Sequence, residues 1–328
     1  MRRLPCARAG VLCALLVFGA APLVGADARS ALQNAAILVQ QGRLEEADKQ
    51  ARLALADPET RAVAYSVLGT IRVQQKKLAE SALFLQKAIR LEPRLVGAHL
   101  TLAQVYALQG KPQSSLQMFR RVVELDPANA TARLALARAE MEKGEYSRSL
   151  ELARPAMAAF TQSPEGVFVL VADLLKTGAR AEAVELVKTW TTLPEVPPEW
   201  SIKFALLLVD EKLVGDAIGV LEYARQQGPP SFHLAFNLAG AYLVNGDLLR
   251  ALETYDLALT LDASSLPALR QAAAIAEKRG EMERSLSYWI RARKIAPDDP
   301  EVLLGFGRVC LKMDLLEDAE HLHRVVTG

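Results

Sequence analysis

From Ala28 onward, apolar residues recur at i, i+3, i+4 and i+7, the spacing that lines one face of an α-helix. No strand-type alternation interrupts them. The stretch from Phe232 to Leu261, FHLAFNLAGAYLVNGDLLRALETYDLALTL, shows the pattern most clearly. Leu238, Ala239 and Tyr242 form one apolar stripe, and Ala251, Tyr255 and Ala258 form another. Gly246 lies between them, where one helix has to end and the next begin. Glycine adopts the left-handed conformation of a helix C-terminus without a Cβ penalty. The pattern therefore predicts short amphipathic helices in antiparallel pairs.

The pairs repeat. Steps of 34 residues from Ala47 reach Ser81, Ser115, Ser149, Ala183, Ala217, Ala251, Ser285 and Ala319, with no insertion or deletion. Twelve residues earlier in each unit stand Ala35, Gly69, Ala103, Ala137, Val171, Ala205, Ala239, Ala273 and Gly307. Small side chains in these two series let paired helices approach closely. Seven residues after the second series come Gly42, Lys76, Gly110, Gly144, Gly178, Lys212, Gly246, Gly280 and Asp314, mostly glycine. Pro93, Pro127, Pro229 and Pro297 are placed to stop the second helix of a unit.

On these residues the chain resembles the tetratricopeptide repeat family, whose unit is a helix–turn–helix of about 34 residues. Leu102, Ala103, Tyr106, Gly110, Phe119 and Pro127 match its hallmark positions in the third unit; Tyr65, Leu68, Gly69, Ala88 and Pro93 match them in the second. The resemblance implies an all-α, right-handed α-α superhelix with units near 28–61, 62–95, 96–129, 130–163, 164–197, 198–231, 232–265, 266–299 and an incomplete 300–328. A unit cannot bury its apolar face alone, so stability comes from stacking neighbours. Val171 is large for its position, Pro155 falls within a second helix, and Trp190 stands where the family usually has alanine, so units four and five are expected to pack irregularly. Leu193 to Pro198 reads as an inter-unit loop. The incomplete last unit leaves a frayed terminus or a longer array as alternatives.

Residues 1–26 read as a secretory signal. Arg2, Arg3 and Arg8 precede an apolar core from Val11 to Ala20, Pro22 breaks any helix, and Val24-Gly25-Ala26 offers small residues for a peptidase. A retained N-terminal membrane anchor is the alternative. Cleavage leaves 36 cations against 38 carboxylates, turning a formal charge of +1 into −2, and leaves Cys310 as the one cysteine. An internal disulfide is then impossible. Hydrophobic residues at 51% and charged residues at 23% exclude a disordered chain and a multi-span membrane protein. A near-zero charge provides no basic field for a phosphate backbone, so no nucleic-acid partner is expected. The signal shape and the Ala- and Leu-rich usage point to the periplasm or cell envelope of a bacterium.

Catalytic chemistry finds little support. His321 and His323 are i, i+2 and point to different sides of a helix, and His99 occupies an aromatic packing position. Gly305-Phe306-Gly307 starts like a dinucleotide fingerprint but lies inside a repeat helix, where close packing at Gly307 explains it. Cys310 has no histidine on its helix to act as base. Asn129-Ala130-Thr131 is a glycosylation sequon. No catalytic residue, cofactor or metal is assigned.

What remains is surface. The resemblance implies that the first helix of each unit lines a concave groove, with its second, fifth, ninth, twelfth and thirteenth residues facing a bound peptide. The fifth position reads Leu32, Ser66, Leu100, Leu134, Phe168, Ile202, Phe236, Arg270 and Leu304. Leu100, Leu134, Phe168, Ile202 and Phe236 form an unbroken apolar series, which either faces a ligand or packs against the neighbouring unit. Gln104, Arg138, Lys203, Asn237, Arg270 and Arg308 are candidates for hydrogen bonds to an extended backbone. Family members that clamp a C-terminal carboxylate use Lys–Asn, Asn and Lys–Arg on successive units. Asn237 fits one such position, but Ile202, Leu206, Pro267 and Gln271 supply no cations, so that clamp is absent. The reading is an exported, non-catalytic scaffold or adaptor for a protein or peptide, in envelope assembly or secretion. The alternative is the regulatory or targeting arm of an enzyme on a longer chain or partner subunit.

Overall fold

The computed structural model describes residues 26–193 and 196–315. Residues 1–25 of the signal segment, Pro194, Ala319, His321 and His323 lie outside them. Among the described residues all regular structure is helical, and the chain divides after Asp173 into two compact units.

In the first, the successive pairs are α1 (Ala26–Gln40) with α2 (Leu44–Leu53), α3 (Arg61–Gln74) with α4 (Leu78–Leu91), α5 (Val96–Leu108) with α6 (Pro112–Leu125), and α7 (Ala130–Glu142) with α8 (Tyr146–Ala153). The short α9 (Met157–Phe160) follows, and α10 (Pro164–Lys176) carries the division. In the second, α11 (Arg180–Thr191) precedes α12 (Pro198–Asp210) with α13 (Val214–Gln227), α14 (Phe232–Val244) with α15 (Leu248–Leu261), and α16 (Leu266–Lys278) with α17 (Met282–Ile295). The last described helix is α18 (Pro300–Lys312). From Val96 the first helices start every 34 residues, at 130, 164, 198, 232, 266 and 300.

One turn accounts for this regularity. Gly42, Gly110, Gly144, Gly178, Gly246 and Gly280 have φ between 69 and 90°, and the three other members of their series, Lys76, Lys212 and Asp314, have φ of 60, 65 and 62°. At all nine the following amide bonds the carbonyl five residues back, as in Lys111 to Tyr106 at 2.9 Å, Leu213 to Leu208 at 2.8 Å and Leu315 to Cys310 at 2.9 Å. This is the Schellman closure, which satisfies helix-end carbonyls and reverses the chain in minimal length.

Packing follows from the two small series. Ala47, Ala183, Ala217 and Ala251 are fully buried. Where serine replaces alanine, its hydroxyl is used: Ser81 Oγ donates to the Gly69 carbonyl and Ser115 Oγ to that of Ala103, both at 2.8 Å, and Ser285 Oγ to that of Ala273 at 2.9 Å. These bonds join the second helix of a unit to the first. Leu68, Ile71 and Leu85 are fully inaccessible in the first unit; Phe204, Leu208, Leu238, Leu252 and Leu269 are so in the second. Each such side chain contributes roughly 1.5–3 kcal/mol. The helices α4, α6, α13 and α17 end two residues before Pro93, Pro127, Pro229 and Pro297.

One irregularity falls where expected and another does not: a 3-10 turn (Ala54–Ala56) also ends the second helix of the first pair. Pro155 cannot donate a backbone hydrogen bond, and a 3-10 turn (Arg154–Ala156) interrupts the helix there. Val171 is nevertheless fully buried, and Trp190 packs edge-on against Phe204 at 5.4 Å.

Candidate functional site

The sequence candidates are not equivalent once placed. Leu100 on α5 and Leu134 on α7 are half-buried, and Leu100 packs on a core that includes Phe119 and Val122. Gln104 is half-buried, whereas Arg138 is exposed and pairs with Glu142 at 3.4 Å. Phe168 on α10 and Ile202 on α12 are half-buried. Lys203 lies 3.9 Å from the Trp200 ring centre, a cation–π contact. Phe236 on α14 stacks on Phe232 at 5.7 Å and meets Tyr255 edge-on at 5.6 Å, while the Asn237 side-chain amide donates to the His233 backbone carbonyl at 2.7 Å. Leu100, Leu134, Phe168, Ile202 and Phe236 are thus neither free surface nor sealed core, whereas Leu32 in the same series is buried and Leu304 is exposed.

Of the sequence candidates, Arg270, Leu304 and Arg308 line one cleft. This cleft, of about 450 Å³, lies between α16 and α18, walled by Arg270, Gln271 and Ala274 on one side and Gly305 and Arg308 on the other, with Trp289 of α17 between. A Cβ on Gly305 would sit 2.2 Å from Trp289 Cζ2, so glycine is what lets the indole lie against α18. The close contact in the Gly305-Phe306-Gly307 segment thus falls on Gly305, two residues before the repeat position. The cleft is rimmed by ion pairs. Arg270 pairs with Glu301. Arg308 holds Glu277 through contacts of 2.8–3.1 Å, and Lys312 reaches the same carboxylate at 2.7 Å. The hydrogen bond from Arg308, then that from Lys312, holds the Glu277 carboxyl below its usual range against the opposing effect of burial.

Other groove positions escaped the fifth-position series. Leu108, Leu206, Val244 and Leu311 are exposed apolar residues on first helices, as is Leu304, which that series does include. They stand at the ninth, twelfth, thirteenth and fifth places of their units. Reading all five groove positions in the sequence, rather than one, would have found them.

Elsewhere the polar groups are structural. His99 is buried, and its Nε2 donates to the Pro93 carbonyl at 3.0 Å. Asn129 caps α7 by accepting from the Ala132 amide at 3.1 Å, which occupies the sequon side chain. Cys310 is a buried thiol. Asp173 is fully inaccessible; burial pushes its carboxyl up to about 6, with the Ser149 hydroxyl, which donates to it, acting in the opposite direction. Among the described residues no three His, Cys, Asp or Glu side chains cluster as a metal site, and no helix is long and apolar enough to cross a membrane.

Helical hairpins of constant length, joined by one turn type and presenting partly apolar first helices, define a repeat protein of the interaction class. Models of the tetratricopeptide repeat match residues 106–167 and 202–265. The chain thus carries tetratricopeptide repeats over those residues. Among solved structures, a tetratricopeptide repeat protein from Parabacteroides merdae shares 14% identity, with 76% of this chain and 98% of that one covered and a TM-score of 0.50. YrrB, described as a TPR protein with an unusual peptide-binding site, shares 16% over 67% of this chain and 95% of its own, at a TM-score of 0.41. Pseudomonas aeruginosa pilF shares 17% over 75% and 96%, at 0.37. These likenesses concern the fold. No curated relative matches the chain.

Proposed function

We propose that this protein is a non-catalytic scaffold or adaptor that holds an extended segment of a partner protein on its first helices, and that it works after export, in bacterial envelope assembly or secretion. The tetratricopeptide fold is generally a protein-interaction fold, and that coarser role stands on the family match. The observation that carries the finer one is the exposed apolar set on first helices of the second unit: Leu206, Val244, Leu304 and Leu311, the last three at least 60% accessible. Exposed apolar side chains gathered on the first helices, at places the family turns toward its groove, mark a binding face more readily than scattered ones do. The half-buried faces of Ile202 and Phe236 belong to the same surface, as Leu100, Leu134 and Phe168 do in the first unit. Export rests on the composition of residues 1–26.

The test is site-specific photocrosslinking in the native host. Benzophenone at Leu206, Val244 or Leu304 is expected to capture one common partner, whereas benzophenone at Leu249 or Ile290, exposed on second helices, does not. Equal capture from both sets, or none, would refute the groove. The mature protein is expected to start at Asp27 by mass spectrometry, and an intact residue 1 would refute cleavage.

A further inference from the structure

We propose that residues 316–328, which lie outside the described residues, seat on a groove between α17 and α18 and are held there by charge, as a clasp that salt releases. The groove, of about 320 Å³, is lined by Ile290, Arg293, Lys294 and Pro297 on one side and by Phe306 of α18 on the other. Ile290 is 41% accessible. Arg293 lies over the Phe306 ring at 5.4 Å, and neither Arg293 nor Lys294 has an ion-pair partner among the described residues. The surface therefore combines an apolar floor with two unpaired cations. Its complement is an apolar segment that carries acids.

The chain's own continuation has that chemistry. Glu317, Asp318 and Glu320 are set among Leu316, Leu322 and Val326, with Arg324 as the one basic counterpart apart from histidines. The turn at Asp314, with the Leu315 amide bonded to the Cys310 carbonyl at 2.9 Å, reverses the chain at the end of α18. The segment thus starts beside the groove, at the high local concentration of a tether. Its register follows from the second helices before it. In the second unit, residues 28 apart on successive second helices meet through opposite charge: Lys188 with Asp216 at 2.8 Å, and Asp256 with Arg284. From Ile290 the same step reaches Asp318. Isoleucine cannot pair with it, but Arg293 and Lys294 stand three and four residues further on, on the same face of α17. A step of 32 joins Asp256 to Tyr288 and, from Ile290, reaches Leu322. Met118, six repeats before Leu322, packs on the cluster that holds Leu102, six repeats before Phe306. The difference lies in the fastening. One repeat before Arg293 stands Leu259, which is buried. At the last seat a cation replaces that apolar contact, and exposed ion pairs are weak and screened by salt.

Two measurements on the purified full chain test the clasp. Benzophenone at Ile290 is expected to crosslink within the molecule to the tryptic peptide Met313–Arg324, identified by mass spectrometry. Raising NaCl from about 0.05 to about 0.5 M should speed amide exchange over residues 316–328 about threefold to fivefold, the size of one or two exposed ion pairs. Asp318→Lys should speed it as much at low salt, and Arg293→Glu with Lys294→Glu should restore slow exchange in that variant. The salt arm needs no substitution, so it holds even where a variant packs poorly. Exchange indifferent to both salt and Asp318→Lys overturns the ionic fastening. A crosslink that misses the peptide, or that joins two copies into a dimer on a denaturing gel, overturns the seat. None of these outcomes bears on the scaffold reading, which rests on the first helices.

Discussion

Replacing Asp173 by asparagine should stabilise this protein at neutral pH and flatten its response to acid. The carboxyl is fully inaccessible, and burial raises it from 3.8 to about 6 despite the opposing hydrogen bond from Ser149. In the unfolded chain it titrates near its ordinary value of about 4. Between the two values the folded protein keeps a proton that the unfolded chain has released. Stability therefore falls as pH rises from about 4 to about 6 and is level above that. About two pH units at about 1.4 kcal/mol each amount to about 3 kcal/mol. Asp173→Asn retains the shape and a partner for Ser149 but never ionises. The variant is expected to exceed the wild type by up to about 3 kcal/mol at pH 7.5 and to match it within about 1 kcal/mol near pH 3.5. Urea unfolding followed by far-UV circular dichroism at several pH values reads this directly, with midpoints compared because repeat arrays need not unfold in one step. Ser149→Ala, which removes the donor, should raise the carboxyl further and carry the fall in stability on to higher pH. A variant that tracks the wild type at every pH would refute the burial argument.

Two further perturbations test the repeat architecture. Lys76 and Lys212 have φ of 60 and 65°, so Lys76→Gly and Lys212→Gly should each stabilise by about 0.5–1 kcal/mol in thermal unfolding, the left-handed penalty less the extra backbone entropy of glycine; a loss instead would mean that the lysine side chains matter more than their backbone. Gly69→Ala places a Cβ 2.6 Å from Leu85 Cγ in a fully buried contact, and should cost about 1–3 kcal/mol by the same assay; no change would show that the helices are free to separate.

Much of the fold could be read from the chain because its information is local and repeated. The glycine series located the turn inside each helix pair, including those where Lys76, Lys212 and Asp314 stand in, because nine aligned positions outvote the local residue preference. The small series located the close approaches, down to the serines whose hydroxyls bond the carbonyl twelve residues back. The cleft was less accessible. Arg270 was chosen by register alone, and nothing local to Trp289 or Gly305 tells that they meet across two helices. Asp173 was missed for a similar reason: its burial depends on neighbours brought in by packing. The fifth-position residues were ambiguous because their half-buried state is itself intermediate, each using one face for the core.

The nine equivalent turns have a consequence for how such a chain changes length. Because Lys212 and Gly246 share backbone conformation and hydrogen bonding, excising residues 213–246 would join Lys212 to Asp247 at a seam the protein already uses. Duplication of the same segment would be equally neutral to local geometry. Copy number can therefore vary by whole hairpins through recombination between internally similar stretches, with the ligand-facing positions carried along as a cassette. A gene of this kind can lengthen or shorten its binding surface in one event, without first passing through a misfolded intermediate.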